Sequence, residues 1–126
     1  MPRGDGGGVD YLDEFSPLGE THVAEFYHDH GLSVSTFDPA SLARQPATLA
    51  DLRGGDRDAN ARIVREVLSG QDRSPRRDAV LLNAGAALFV ADRVRSISDG
   101  WNLAAELIGG GRVTAKLEEL AAAARA

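Results

Sequence analysis

Apolar and polar positions alternate from Thr21 onward. Val23, Phe26 and Tyr27 come first, then "HDHG", then Leu32, Val34, Thr36 and Phe37, which predicts two short strands joined by a turn at Asp29 to Gly31. The next stretch, "FDPASLARQPATLADLRGGD", is broken by Pro39, Pro46 and Gly54-Gly55, and reads as a loop with one helical turn around Ala40 to Ala43. The period then changes to that of a helix. Asp56 is placed to cap "RDANARIVREVLSG", whose apolar residues Ala59, Ile63, Val64, Val67 and Leu68 share one face before Gly70 stops the run. "QDRSPRR" reads as a charged loop, and "DAVLLNAGAALFVADRV" as a helix apolar on most of its circumference, a pattern that belongs in a core. Gly85 in its middle implies close approach of a neighbouring backbone, and Asn83 a buried amide with its hydrogen bonds satisfied. Ser96 or Ser98 caps "ISDGWNLAAELI", in which Trp101 is a packing residue; "GGG" at 109–111 ends it, and "RVTAKLEELAAAARA" forms a last amphipathic helix. The prediction is a β-hairpin followed by four helices.

With 126 residues the chain has the length of one domain, and 43% hydrophobic and 26% charged residues are ordinary globular values. Residues 1–10 are glycine-rich and read as a flexible lead-in, leaving 11–126 for the folded part. Nineteen acids against fourteen bases give a net charge of −5, with none of the basic surplus that nucleic acid requires, so no nucleic-acid partner is expected. There is no cysteine, which excludes disulfides, Cys-ligated zinc and thiol nucleophiles. No run approaches the roughly 18 to 20 apolar residues of a membrane span, and no apolar segment follows Arg3. A cytoplasmic location and no membrane contact are the expectation.

Candidate chemistry starts with the adjacent carboxylates Asp13 and Glu14 in the loop "VDYLDEFSPLGETHVAEF". Two acids in a loop are either simply solvated or ligands of a metal that faces phosphates. His22, His28 and His30 could suggest a metal cluster, but "HDH" falls at a hairpin tip, where exposure is the default. "GDGGG" and "GGG" lack the strand-to-helix context and spacing of a phosphate-cradling loop.

Five motifs in order, "YLDEFSPLGETHVAEF", "FDPASL", "DLRGGDRDANARIVREVLSG", "RRDAVLLNAGAALFVADRV" and "AAELIGGGRVTAKLEEL", resemble the C-terminal part of the anthranilate phosphoribosyltransferase family, within the glycosyltransferase and nucleoside phosphorylase-like enzymes. The resemblance covers nearly all of residues 3–121. It departs from the family pattern at Tyr11 (usually Gly), Glu20 (Pro), Ala43 (Gly) and Gly109-Gly110 (Asp-Ser), and the family's Gly-Thr-Gly-Gly-Asp pyrophosphate loop is not in the chain.

The resemblance implies an α/β fold of which this chain supplies the C-terminal portion, the hairpin and helices of a larger sheet-and-helix domain. It implies transfer of phosphoribosyl from 5-phosphoribosyl 1-pyrophosphate to anthranilate, a step of tryptophan biosynthesis, with Mg²⁺ held by Asp13 and Glu14. The partners implied are the N-terminal half, in cis or in trans, and a second subunit whose interface this chain lacks. No catalytic residue is assigned here, and the chain alone is expected to be inactive. A non-catalytic interaction or scaffold domain derived from that fold and a pyrimidine nucleoside phosphorylase-like protein are the other two readings.

Overall fold

The computed structural model describes residues 12–29 and 31–126. The glycine-rich lead-in, Tyr11 and His30 lie outside the described residues. Strands β1 (Thr21–Tyr27) and β2 (Gly31–Phe37) pair antiparallel, from Thr21 opposite Phe37 to Tyr27 opposite Gly31. Gly31 takes a φ of 73°, a left-handed turn conformation open to glycine at no steric cost.

Because side chains alternate across a strand, Val23 and Phe26 point to opposite faces. The pairs Ala24–Val34 and Phe26–Leu32 therefore form one apolar face. It is open, with Phe26 81% and Val34 70% exposed. Among the described residues the hairpin has no substantial packing against the helices; its tie to the core is the Phe37 end, where the Phe15 and Phe37 rings meet edge-on at 5.7 Å.

The long connection is more ordered than its prolines and glycines suggest. A 3-10 turn at Pro39–Ser41, slightly earlier than predicted, is capped by Asp38, whose Oδ1 accepts the Ala40 N–H at 2.8 Å, and it delivers Leu42 into the core. A second turn at Leu49–Leu52 was not predicted from the pattern. Asp51 holds it by accepting from the Thr48 N–H at 2.7 Å and the Thr48 hydroxyl at 2.8 Å. Between the two turns, Gln45 donates its backbone N–H to Asp78 at 2.7 Å, which gives this 3%-exposed carboxylate a partner inside the protein.

Helix α1 (Arg57–Leu68) starts at the predicted cap, with Asp56 Oδ1 accepting from the Ala59 N–H at 2.8 Å, and stops before Gly70 at φ 79°. Helix α2 (Pro75–Val90) corrects the sequence reading twice. It begins inside "QDRSPRR", because Ser74 caps it and Pro75 at the first position has a preset φ and needs no hydrogen-bond donor. It also ends at Val90, short of Val94, and is not buried all round: Leu81, Leu82 and Gly85 are buried, whereas Val90 is exposed.

Ser96, not Ser98, caps α3 (Ile97–Gly109), and α4 (Arg112–Ala123) lies against α3 and α1 with no fully buried residue. The core is Leu42, Leu81, Leu82, Trp101, Ala104 and Ile108, with Trp101 a packing residue as predicted. Burying each of Leu81 and Leu82 is worth about 1.5–3 kcal/mol before entropic costs.

The largest helix contact is α2 on α3, and Gly85 meets Gly100 within it. A Cβ at Gly85 would lie 2.8 Å from the Trp101 nitrogen and 3.0 Å from the Ile97 carbonyl oxygen, the close backbone approach that the mid-helix glycine implied. No helix of the described residues is long and apolar enough to cross a membrane.

Candidate functional site

The loop of residues 12–20 runs from the acid pair into β1, and its two halves differ in character. Asp13 and Glu14 are exposed, and neither forms an ion pair or side-chain hydrogen bond with another described residue. Immediately after them the chain is anchored. Ser16 and Pro17 are buried, and the Ser16 hydroxyl accepts the Leu18 N–H at 3.1 Å.

The firmest anchor comes from α2. Asn83 Oδ1 accepts the Phe15 N–H at 3.0 Å, and Asn83 Nδ2 donates to the Phe15 carbonyl at 2.8 Å and to the Ala79 carbonyl at 3.0 Å. Asn83 is thus the satisfied amide the sequence predicted, though half-buried and not buried. What it satisfies is the backbone of the residue next to Glu14.

Asn60 on α1 repeats the device. Its Oδ1 accepts the Gly55 N–H at 2.8 Å and its Nδ2 donates to the Gly55 carbonyl at 3.0 Å. A Cβ at Gly54 would meet the Asn60 amide, 3.1 Å from Cγ and closer to Oδ1, so a larger residue there would push this clasp aside. Glu14, Gly54 and Asn60 line one cleft of about 430 Å³, with Arg53 and Arg76 beside them and Ile63, Val67 and Val80 as apolar walls.

Arg76 donates to the Arg53 carbonyl at 3.0 Å. Its guanidinium also acts on two nearby acids. Burial by itself would raise the Asp72 carboxyl, but hydrogen bonds from Ser74 and the Arg76 charge outweigh it and hold the group below its ordinary value. Asp51 is lowered by its hydrogen bonds from Thr48, with a smaller contribution from Arg76.

The other sequence candidates do not join this site. His22 is exposed and shares a 3.2 Å hydrogen bond with the Thr36 hydroxyl, and His28 is exposed near the hairpin turn. Gly111 adopts φ 76° at the α3–α4 corner. Among the described residues no group of three or more His, Asp or Glu side chains could hold a metal ion. Two adjacent carboxylates are too few for an all-protein metal cage; an ion such as Mg²⁺, which keeps several waters and takes one or two protein carboxylates together with substrate phosphates, is the kind that such a pair would fit.

The fold and the motifs carried by these loops place the chain in a known family. Residues 5–114 match the glycosyl transferase family, a/b domain, and the chain belongs to that family. Its relatives include anthranilate phosphoribosyltransferase of Geobacter sulfurreducens, 45% identical over 113 residues, covering 90% of this chain and 32% of that protein. The enzyme of the same name from Brevibacillus brevis is also 45% identical over 113 residues, covering 90% of this chain and 33% of that protein. Among solved structures, anthranilate phosphoribosyltransferase from Thermus thermophilus superposes with a TM-score of 0.78 at 33% identity, covering 91% of this chain and 33% of that one. The chain spans about a third of the length of the relatives it matches.

Proposed function

We propose that this chain supplies one part of an anthranilate phosphoribosyltransferase, the part that brings the acid pair to the pyrophosphate of 5-phosphoribosyl 1-pyrophosphate. The observation that carries this reading is the pairing of 45% identity to enzymes of that name with two carboxylates that no described side chain engages, presented from an anchored loop. Asp13 and Glu14 would hold Mg²⁺. When bound, the ion supplies charge neutralisation for a pyrophosphate leaving group.

The protein's own residues contribute position and field. Arg53 and Arg76 line the cleft that Glu14 edges, so a polyphosphate at the acid pair meets cationic groups as well as carboxylates. Anthranilate's amine is the nucleophile that replaces pyrophosphate at C1 of the ribose. No residue described here is assigned to proton transfer. On this reading the chain works in the cytoplasm, in tryptophan biosynthesis, and as a subunit or segment of a homodimeric enzyme.

The remaining two thirds of the relatives' length is the partner of this reading. The open hairpin supports it: a two-stranded sheet with an uncovered apolar face is marginal alone and is completed by further chain. The test is complementation. The 126-residue chain alone should consume no anthranilate with 5-phosphoribosyl 1-pyrophosphate and Mg²⁺, followed by anthranilate fluorescence. Adding the unspanned segment of the Geobacter sulfurreducens relative should restore turnover. Formation of a stable complex that remains inactive contradicts the proposal.

A further inference from the structure

We infer that Asn83 is a positioning residue for the acid pair, fixing the direction in which Asp13 and Glu14 present their carboxylates. This rests on the metal reading above and goes beyond it, to what makes two loop carboxylates a usable partial shell. A loop acid samples many directions unless its backbone is fixed, and fixing it before a ligand arrives removes that ordering cost from binding. An asparagine that binds both the N–H and the C=O of one residue fixes the two peptide units that flank it, and here the first of these is the Glu14–Phe15 peptide.

The clasp is itself held rigid. The third bond, to the Ala79 carbonyl one turn back on α2, orients the Asn83 amide. Gly85, two positions further along α2 and so on a different side of the helix, locks against Gly100 of α3. The helix thus carries the acid loop on one side and is seated on the core by the other. Across 68 residues of sequence, Asn83 transmits that seating to Phe15, and the Phe15 ring adds the edge contact with Phe37. Asn60 holds Gly55 by the same two bonds, so both loops that line the cleft are set by helix-borne amides.

The test uses the ¹⁵N-labelled chain, with two readouts. Hydrogen exchange at the Phe15 amide reports the clasp, and Mn²⁺ alone, titrated as a paramagnetic probe, broadens the amides of Asp13 to Ser16 with a midpoint that reports metal affinity. Asn83→Ala should speed Phe15 exchange at least about tenfold and raise the Mn²⁺ midpoint at least about threefold. Asn83→Leu, which fills the volume of the amide without its hydrogen bonds, should do the same and serves where the alanine variant fails to fold. Ile108→Val, a core change remote from the loop, should lower the melting temperature and leave the Mn²⁺ midpoint in place.

Faster Phe15 exchange with an unmoved Mn²⁺ midpoint would reduce Asn83 to a structural tie and overturn the inference. A midpoint that Ile108→Val shifts as much as Asn83→Ala would overturn it too, because the effect would then follow stability alone. Absence of Mn²⁺ broadening at residues 13–16 in the unmodified chain would overturn the inference that Asn83 readies the pair for an ion, whereas the metal reading itself, which includes substrate phosphates, falls only with the Mg²⁺ titration of the complemented enzyme.

Discussion

Replacing Gly100 by alanine tests the α2–α3 contact on which the site is seated. In an ordinary helix interior Gly→Ala stabilises by about 1 kcal/mol, through backbone entropy. At Gly100 the new Cβ would lie 2.7 Å from Gly85 Cα and 2.8 Å from Gly85 C, closer still to the Gly85 carbonyl oxygen, and all three are backbone atoms that no rotamer change can move. Carbon atoms pack at about 3.5–4.0 Å, so the helices must part by roughly 1 Å. Overpacking of this kind costs about 1–3 kcal/mol, and a contact made wholly of backbone belongs at the upper end. After the helix-propensity gain, a net loss of about 2 kcal/mol remains. For a domain of this size, 1 kcal/mol moves the melting temperature by about 4 °C, so Gly100→Ala should lower it by about 8 °C. Gly109 is the control: it closes the same helix, and nothing lies within 4 Å of its would-be Cβ, so Gly109→Ala should be neutral or stabilising by up to about 1 kcal/mol. Paired thermal and urea melts decide the matter. If Gly100→Ala stabilises as Gly109→Ala does, the close seating of α2 on α3 is wrong.

Other consequences are simpler to read. Asp56→Ala removes the α1 cap and should cost about 1 kcal/mol in urea unfolding, whereas Asp56→Ser should retain most of it. Because Asp51 is held below its ordinary value of 3.8, it contributes stability that is fully present above that pH and is lost as pH falls through the lower folded value. Urea midpoints measured from pH 5 down to pH 3 should therefore fall less steeply in Asp51→Asn than in the unmodified chain. An equal slope would remove the capping role assigned to Thr48 and Asp51.

Local chemistry was legible wherever neighbouring residues decide it. The hairpin bounds, the Asp56 cap, the Gly70 stop and the helical glycine contact at Gly85 all follow from turn, capping and periodicity rules that act over a few residues. The start of α2 was missed because hydrophobic periodicity begins at Ala79, while the cap and first turn, Ser74 to Asp78, are polar and contain a proline. The exposure of Val90 and Phe26 was illegible, since pattern reports which face is apolar and not whether anything covers it.

The site divides in the same way. Asp13 and Glu14 stood out as an acid pair, and a metal for them was implied by the resemblance alone. The clasp from Asn83 lies 68 positions away and has no local signature. The Asn60 clasp could have been found: Gly54-Gly55 followed by an asparagine in the first turn of a capped helix is a spacing at which a side-chain amide reaches back to the loop.

The most direct test of the central proposal is a Mg²⁺ titration of the complemented enzyme with and without Asp13→Asn/Glu14→Gln, a pair of changes that preserves shape and removes two charges. Turnover should fall at least about tenfold, equivalent to about 1.4 kcal/mol in the barrier, and the Mg²⁺ dependence should move to higher concentration. An unchanged titration in a folded, complemented enzyme would contradict the proposal and leave Asp13 and Glu14 as solvated loop acids.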